Sequence, residues 1–297
     1  MADTLNQTLV TQFTDMVNLE AQQTESFLRS RVLTKPVKGK RFDWQNLSAT
    51  DDNEQTARHQ LVALGDPQHE RRGAIVKTYH QVWGVDRQDD LQSLVELGSP
   101  YVKSLAQTMA RRFDRVAAAA ALGSVLTGEE FATTTSASTD GVQTVDATAG
   151  FTYDKCREIV DQFYEKGVGL TADEKLYLAI SNQEHNQLLN EIELISGDYT
   201  KEYAVEKGRI TNVLGMDVIV FPSSPKNSDP ILNVASSVRS NFAFASTGIC
   251  VGINSDIEVR IEDRPDLIDT KQVKALFRIG ALRTEGSKVV KVTSTAS

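Results

Sequence analysis

Residues 100–126, PYVKSLAQTMARRFDRVAAAAALGSVL, decide the fold, because this is the longest stretch whose pattern admits only a helix. Val102, Leu105, Met109, Phe113, Val116 and Ala120 recur at spacings of three and four, while Lys103, Gln107, Arg111, Asp114 and Arg115 occupy other faces. Ser99 suits the N-cap, Pro100 the first turn, and Gly128 a left-handed stop. The spacing therefore predicts an amphipathic spine over 100–126, roughly 40 Å long at about 1.5 Å per residue.

Working outward, Leu5, Leu9, Phe13 and Val17 predict a modest first helix with no nearby partner, either an ordinary packed helix or an arm on a neighbouring subunit. From Lys35 to Asp86 the period changes to two. Phe42 and Trp44 share a face of KGKRFDWQNL, and Ile75, Tyr79 and Trp83 share a face of AIVKTYHQVWGV. These read as two long strands around a charged stretch, Ser48 to Gly73, holding Asp51, Asp52, Glu54, Arg58, Asp66, Glu70, Arg71 and Arg72. A ribbon with so polar a tip is marginal in isolation, so a projecting hairpin resting on another molecule is expected.

After the spine, TGEEFATTTSASTDGVQTVDATAG reads as a hydroxyl-rich surface loop. Thr152 opens a second helix, YDKCREIVDQFYEKG, with Cys156 in its apolar stripe beside Ile159, Val160 and Phe163. KLYLAIS gives a strand running into a capping box at Ser181–Glu184, and GRITNVLGMDVIVFP a strand, a glycine turn and a strand. DIEVRIED alternates Ile257, Val259 and Ile261 with charges, predicting one buried face; QVKALFRIGALR and SKVVKVTST add two strands around a turn at Gly286. The element order is that of an α+β protein.

The 297 residues, 40% of them hydrophobic, suffice for a sizeable core. The longest apolar run is too short to span a bilayer, and the first twelve residues lack a signal peptide's order, so neither membrane nor export is indicated. A net charge of −8 with scattered Lys and Arg argues against nucleic-acid gripping. The two cysteines, Cys156 and Cys250, form no metal or disulfide pattern.

Catalytic constellations are equally absent. Gly123 to Gly128 has P-loop spacing, but Glu129 and Glu130 replace the lysine and hydroxyl. His59, His69, His80 and His185 have no metal-ligand spacing, and Asp51–Glu54 opens like a calcium loop without its glycine or closing glutamate. Phe42, Trp44, Tyr79 and Trp83 near Arg71, Arg72 and Lys77 fit a protein interface better than an RNA platform, given the acidic tip.

This order of elements resembles the major capsid protein of tailed bacteriophages, with its Hong Kong 97-type fold. The residues that carry the likeness are 208–222, similar to the family's insert strand pair, and 256–292, similar to its closing strands. The resemblance implies an N-terminal arm at 1–34, an E-loop hairpin at 35–86, a peripheral P-domain at 87–180 plus 259–297, and an axial A-domain at 181–258. It implies no catalytic site, cofactor or metal. It further implies pentamers and hexamers closing into an icosahedral shell around double-stranded DNA, in a virion assembled in the host bacterial cytoplasm. Scaffolding, portal and decoration proteins would be further partners. Inter-subunit contact would fall to Phe42, Trp44, Asp51, Asp52, Glu54, Arg58, Glu70, Arg71, Arg72, Tyr79 and Trp83 of the E-loop, and to Leu5, Leu9, Phe13 and Val17 of the arm. An encapsulin-like cargo shell, or an α+β enzyme, are the alternatives.

Overall fold

The computed structural model describes residues 23, 25–48, 52, 54, 67–85, 98–171, 173–191, 205–206, 209–223, 230–264, 266 and 270–296. In chain order they form β1 (Leu33–Pro36), β2 (Arg41–Leu47), β3 (His69–Ile75), β4 (Lys77–Val85), α1 (Gly98–Leu122), β5 (Val125–Thr127), β6 (Thr133–Thr135) and β7 (Gln143–Ala147). Then come α2 (Tyr153–Glu165), β8 (Leu176–Ser181), α3 (Asn182–Leu189), β9 (Val205–Glu206), β10 (Arg209–Ile210), β11 (Asn212–Val213) and β12 (Met216–Phe221). The chain closes with β13 (Val234–Ala235), β14 (Val238–Ala245), β15 (Ile249–Arg264), β16 (Thr270–Arg283), a single 3₁₀ turn at Gly286–Lys288, and β17 (Val289–Thr295). The expected first helix, with Leu5, Leu9, Phe13 and Val17, lies outside the described residues.

The spine exists as α1, and Leu105, Met109, Phe113, Ala117 and Ala121 form its buried stripe at a strict spacing of four. Val102, Val116 and Ala120, expected on that stripe, are only half-buried beside it. The helix stops at Leu122, not at 126. Gly123 donates its N–H to the Ala119 carbonyl (2.8 Å), and a Cβ there would meet that oxygen at 2.5 Å. Beyond it Val125 and Thr127, β-branched residues suited to strands, join β5. Gly128, at φ +93°, turns β5 into β6 instead of ending the helix.

The described chain groups into two compact units. The first comprises the described residues of Met1–Ser26, Thr78–Arg112 and Ser255–Arg278, and the second those of Phe27–Lys77, Phe113–Asn254 and Ile279–Ser297. In the first, β4 is an edge strand beside β16, which pairs in turn with β15. Ile257 and Val259 are half-buried there, but Ile261, expected inside, is 54% exposed.

In the second unit a mixed seven-stranded sheet runs β11-β12-β8-β14-β17-β7, with β13 beside β14. β8 is buried at all six positions, so both its faces are covered and the alternation read from KLYLAIS is only half of its pattern. Helix α2 contributes Cys156, Ile159, Val160 and Phe163 to a cluster with Val145, Phe151, Leu178, Met216, Ala243 and Val292. This single core spans 145–292, so the domain boundary expected at 180–181 would cut through it. The hydroxyl-rich stretch is likewise no mere surface loop: β7 pairs in parallel with β17, and Val142, Val145 and Ala147 are buried. The capping box at Ser181–Glu184 is formed, and Leu214 (φ +51°) and Gly215 (φ +81°) make the turn between β11 and β12.

A second sheet of this unit, β2-β3-β5-β6, carries the hairpin. Arg41 to Leu47 pairs antiparallel with Ile75 to His69, and Ser48 and Gln68 extend the ribbon by one rung. Of the expected second strand, residues 74–85, only Ala74 and Ile75 pair in the hairpin. The highly charged HERRGAI takes that place, because Arg72 and Gly73 also pair with Thr127 and Leu126 of β5, and tertiary pairing outweighs local pattern.

Candidate assembly surfaces

The root of the hairpin is fixed by charge buried within the second unit. Asp140 accepts two hydrogen bonds from Arg72 of β3 (3.0 Å from Nη1, 2.7 Å from Nη2) and one from Nε of Arg283 of β16 (2.6 Å). Arg283, 0% exposed, also donates to the carbonyls of Ala121 (2.9 Å) and Gly123 (3.0 Å), placing a cation on the C-terminal end of α1, where the helix dipole favours it. Arg72 makes a further pair with Glu70 at 2.9 Å. Burial opposes the charge of both guanidiniums. On Arg72 the bonds to Glu70 and Asp140 prevail and raise its pKa, whereas on Arg283 burial prevails and lowers it. One carboxylate thus ties the hairpin, the end of the spine and the penultimate strand together.

The expected contact residues divide by where this root places them. Phe42, 7% exposed, packs with Ala74, Cys250 and Leu282, and Arg72 is 4% exposed. In the single chain both side chains are buried at the hairpin root. Trp44 is half-buried, with Lys35 Nζ 4.4 Å above its ring and its Nε1–H donated to Asn46 (2.7 Å). Glu70 and Arg71 are exposed; Arg71 bonds Asp43 at 2.9 Å and lies 5.0 Å over Phe131. Asp52 and Glu54 are exposed, while Asp51 and Arg58 lie outside the described residues.

Tyr79 and Trp83 stand on β4 of the first unit, separate from the ribbon that the sequence assigns them to. Each is half-buried and engaged: Arg112 sits 5.1 Å over Tyr79, and Tyr101 meets Trp83 edge-on at 5.5 Å. Burial raises the Tyr79 pKa against the opposing Arg112 charge.

A second buried network, in the seven-stranded sheet, links α3 to β14 and β17. Glu184 accepts from Ser181 N–H (3.1 Å), the Ser181 hydroxyl, Arg239 (3.0 Å) and Ser294 (2.5 Å). Burial raises its pKa, but these bonds and the Arg239 charge outweigh it and the net shift is downward. Next to it, His185 Nε2 accepts the Ile210 N–H at 3.1 Å, which requires a neutral ring; burial and the Arg209 charge lower its pKa accordingly. Among the described residues, no group of three or more His, Cys, Asp or Glu could hold a metal ion, and no helix is long and apolar enough to cross a membrane. Burial pushes the Cys156 thiol up to about 12 and the Cys250 thiol up to about 11, the opposite of a nucleophile's tuning.

The arrangement is one of clamps and surfaces, and comparison with known proteins agrees. A family model described as phage capsid protein matches residues 5–296. The chain belongs to the phage capsid protein family. No curated protein matches it. Among solved structures, the capsid of the cyanophage P-SCSP1u is similar with a TM-score of 0.73 at 12% identity, over 99% of this chain and 95% of that one. The head of the Helicobacter pylori bacteriophage KHP40 gives 0.72 at 11% identity, over 99% and 98%. The cyanophage Pam1 capsid gives 0.71 at 12%, over 98% and 97%. The fold is the Hong Kong 97-type capsid fold, and this phage capsid protein is a major capsid protein, a structural component of the virion shell built from copies of itself.

Asp140 and Arg283 are the residues that sequence reasoning misses. They lie 68 and 211 positions from Arg72, and no spacing rule connects them.

Proposed function

We propose that the hairpin of this capsid protein reaches over a neighbouring copy and holds the rings of five and six subunits together in an icosahedral shell around double-stranded DNA. The observation that supports this reading is the contrast along one ribbon. Its root is clamped by Asp140, while Leu47, Asp52 and Glu54 beyond that root are exposed. A two-stranded ribbon with a polar end gains stability only where something else covers it.

In this reading the half-buried Trp44 gives apolar area near the root, and Glu70, Arg71 and the tip charges set register, since exposed pairs are worth only about 0–1 kcal/mol each. Stability then comes from repetition, with obligate interfaces commonly burying about 2,000–5,000 Å². Tyr79 and Trp83 on β4 form a second contact strip, and residues 1–34, including Leu5, Leu9, Phe13 and Val17, act as an arm on a neighbour. Assembly takes place in the host bacterial cytoplasm with scaffolding, portal and decoration proteins, and the DNA is held by enclosure.

Deleting 50–66 tests the hairpin's role, because it leaves β3 and the Arg72 clamp intact. The subunit should keep its melting temperature and lose most of its shell yield in electron micrographs. Unchanged shells would overturn the reading.

A further inference from the structure

Resting on the reading that the shell encloses double-stranded DNA, we propose that the turn Lys35–Arg41 faces that DNA and binds its phosphate backbone without regard to sequence. From Arg29 to Arg41 the chain holds six cations and no acid, although its net charge is −8. Arg29 and Arg31 are half-buried over the rings of Phe113 (5.9 Å) and Tyr177 (6.0 Å). Lys35, Lys38, Lys40 and Arg41 are exposed, and among the described residues none of the four has a carboxylate partner. The next acid along the chain, Asp43, is taken by Arg71 at 2.9 Å.

The backbone beneath these charges is fixed. β1 runs parallel to Cys250–Ile253, Val37 N–H bonds the Ile253 carbonyl (2.9 Å), and Asn254 Nδ2 donates to the Val37 carbonyl (3.0 Å). Gly39, at φ +104°, makes the bend, and among the described residues nothing lies within 4 Å of where its Cβ would stand. The Lys40 carbonyl accepts from Val76 N–H (2.9 Å), and Lys35 Nζ rests 4.4 Å above the Trp44 ring. A cation on a fixed turn loses less entropy on binding than one on a loose segment.

Two occupants carry the opposite charge: the phosphates of DNA and the carboxylates of a second copy. The side chains of the turn favour DNA. Protein interfaces gather around apolar or aromatic anchors, and lysine is depleted in them. Here the larger apolar residues, Leu33 and Val37, pack inward against Phe42, Ala74, Cys250 and Leu282, and the turn offers Thr34, Pro36, Gly39 and its cations outward. Lysines without an apolar anchor suit phosphates, which are bound chiefly by charge. Charge balance points the same way. An acidic shell repels the DNA inside it, and a compact cationic turn offsets that repulsion within a Debye length, about 8 Å in physiological salt. Enclosure still does the holding, because four phosphate contacts per copy are weak singly and sensitive to salt.

Amine labelling decides. DNA-filled and empty shells are treated with a small acylating reagent, and the modified lysines are read by mass spectrometry. Lys38 and Lys40 should be modified at least about threefold less in filled shells than in empty ones, through contact with phosphate. The exposed Lys166 and Lys175 should be modified equally in both. Protection in filled and empty shells alike would reassign the turn to a neighbouring copy, and protection in neither would leave it in solvent; both results overturn the proposal. Lys38→Gln with Lys40→Gln in the full chain gives a second readout. Its affinity for a short DNA duplex should depend less steeply on salt, the log–log slope shrinking by about 1.8 at about 0.9 per lost contact. Melting temperature should be unchanged. An unmoved slope overturns the proposal, as does an equal fall from Lys166→Gln with Lys175→Gln. Particles that never contain DNA would sink the enclosure reading while the duplex titration still decides the turn; filled particles with an unprotected turn would sink only this contact.

Discussion

Replacing Asp140 by Asn measures how much of the subunit's stability resides in the hairpin root. The side chain is 3% exposed and holds two guanidiniums that are 5% and 0% exposed. Removing the charge leaves both buried cations without their shared counterion, although Arg72 keeps Glu70 and Arg283 keeps the Ala121 and Gly123 carbonyls. Breaking a buried pair from one side typically costs about 3–5 kcal/mol, mainly because the remaining charge stays desolvated. For a unit of this size, where 1 kcal/mol moves the melting temperature by about 2–4 °C, the expected drop is roughly 6–20 °C. Asp43→Asn is the matched control. It breaks the 2.9 Å Arg71 pair, whose side chains are 43% and 39% exposed, and should cost about 0–1 kcal/mol. Denaturant unfolding of both variants, with hydrogen exchange on the β3 amides, gives the comparison. Equal losses from Asp140→Asn and Asp43→Asn would refute the assignment of the root as a buried charge clamp.

Two further outcomes follow from the described geometry. His185 has a lowered folded pKa, so its contribution is complete above the unfolded value of about 6.5 and is lost as pH falls below it, because the unfolded chain takes up the proton first. Glu184, also lowered, adds a second loss below its ordinary value of 4.5. Melting temperature against pH should therefore decline in two stages, with His185→Gln flattening the upper one and Glu184→Gln the lower; a profile unchanged by either would contradict this. Gly286→Ala should cost about 3 kcal/mol or more, since its Cβ would lie 1.8 Å from the Asp140 carbonyl oxygen and force backbone to move. Gly141→Ala, at φ +87° with open space around it, should cost only about 1–2 kcal/mol, and equal effects in urea titrations would argue against the close approach.

Local chemistry was legible where it is also decisive. Ser181 and Glu184 announce a capping box because both partners lie within one helical turn, and Gly215 announces the turn after Leu214 because glycine takes positive φ readily. The spine is visible because Leu105 to Ala121 repeat every four residues over more than four turns. Legibility fails where long-range pairing outweighs local preference. HERRGAI carries three charged residues and a glycine, yet it is the hairpin strand, because β5 pairs with it and Gly73 leaves room for the Phe131 ring, which a Cβ would meet at 2.4 Å. Of the alternating 74–85 segment, Ala74 and Ile75 end β3, whereas Lys77–Val85 forms a strand of another sheet. At Phe42 alternation says that one face is buried and cannot say by what, and at Arg72 the charge alone gives no sign of the buried Asp140 partner.

The hairpin uses one kind of chemistry for opposite ends. At the root, carboxylate and guanidinium are desolvated, so removing either is costly and the geometry is fixed by several bonds at once. Toward the tip the same residue types are hydrated, so each pair contributes little alone and is weakened by salt. An assembly device needs both. A subunit with a loose root would present its tip in many directions and lose entropy at every contact, whereas a strongly attractive tip would hold wrongly placed neighbours as firmly as right ones. In the proposed role, clamping Arg72 at the root and leaving Asp52 and Glu54 exposed would place rigidity in the single chain and leave binding strength to the number of copies in the shell.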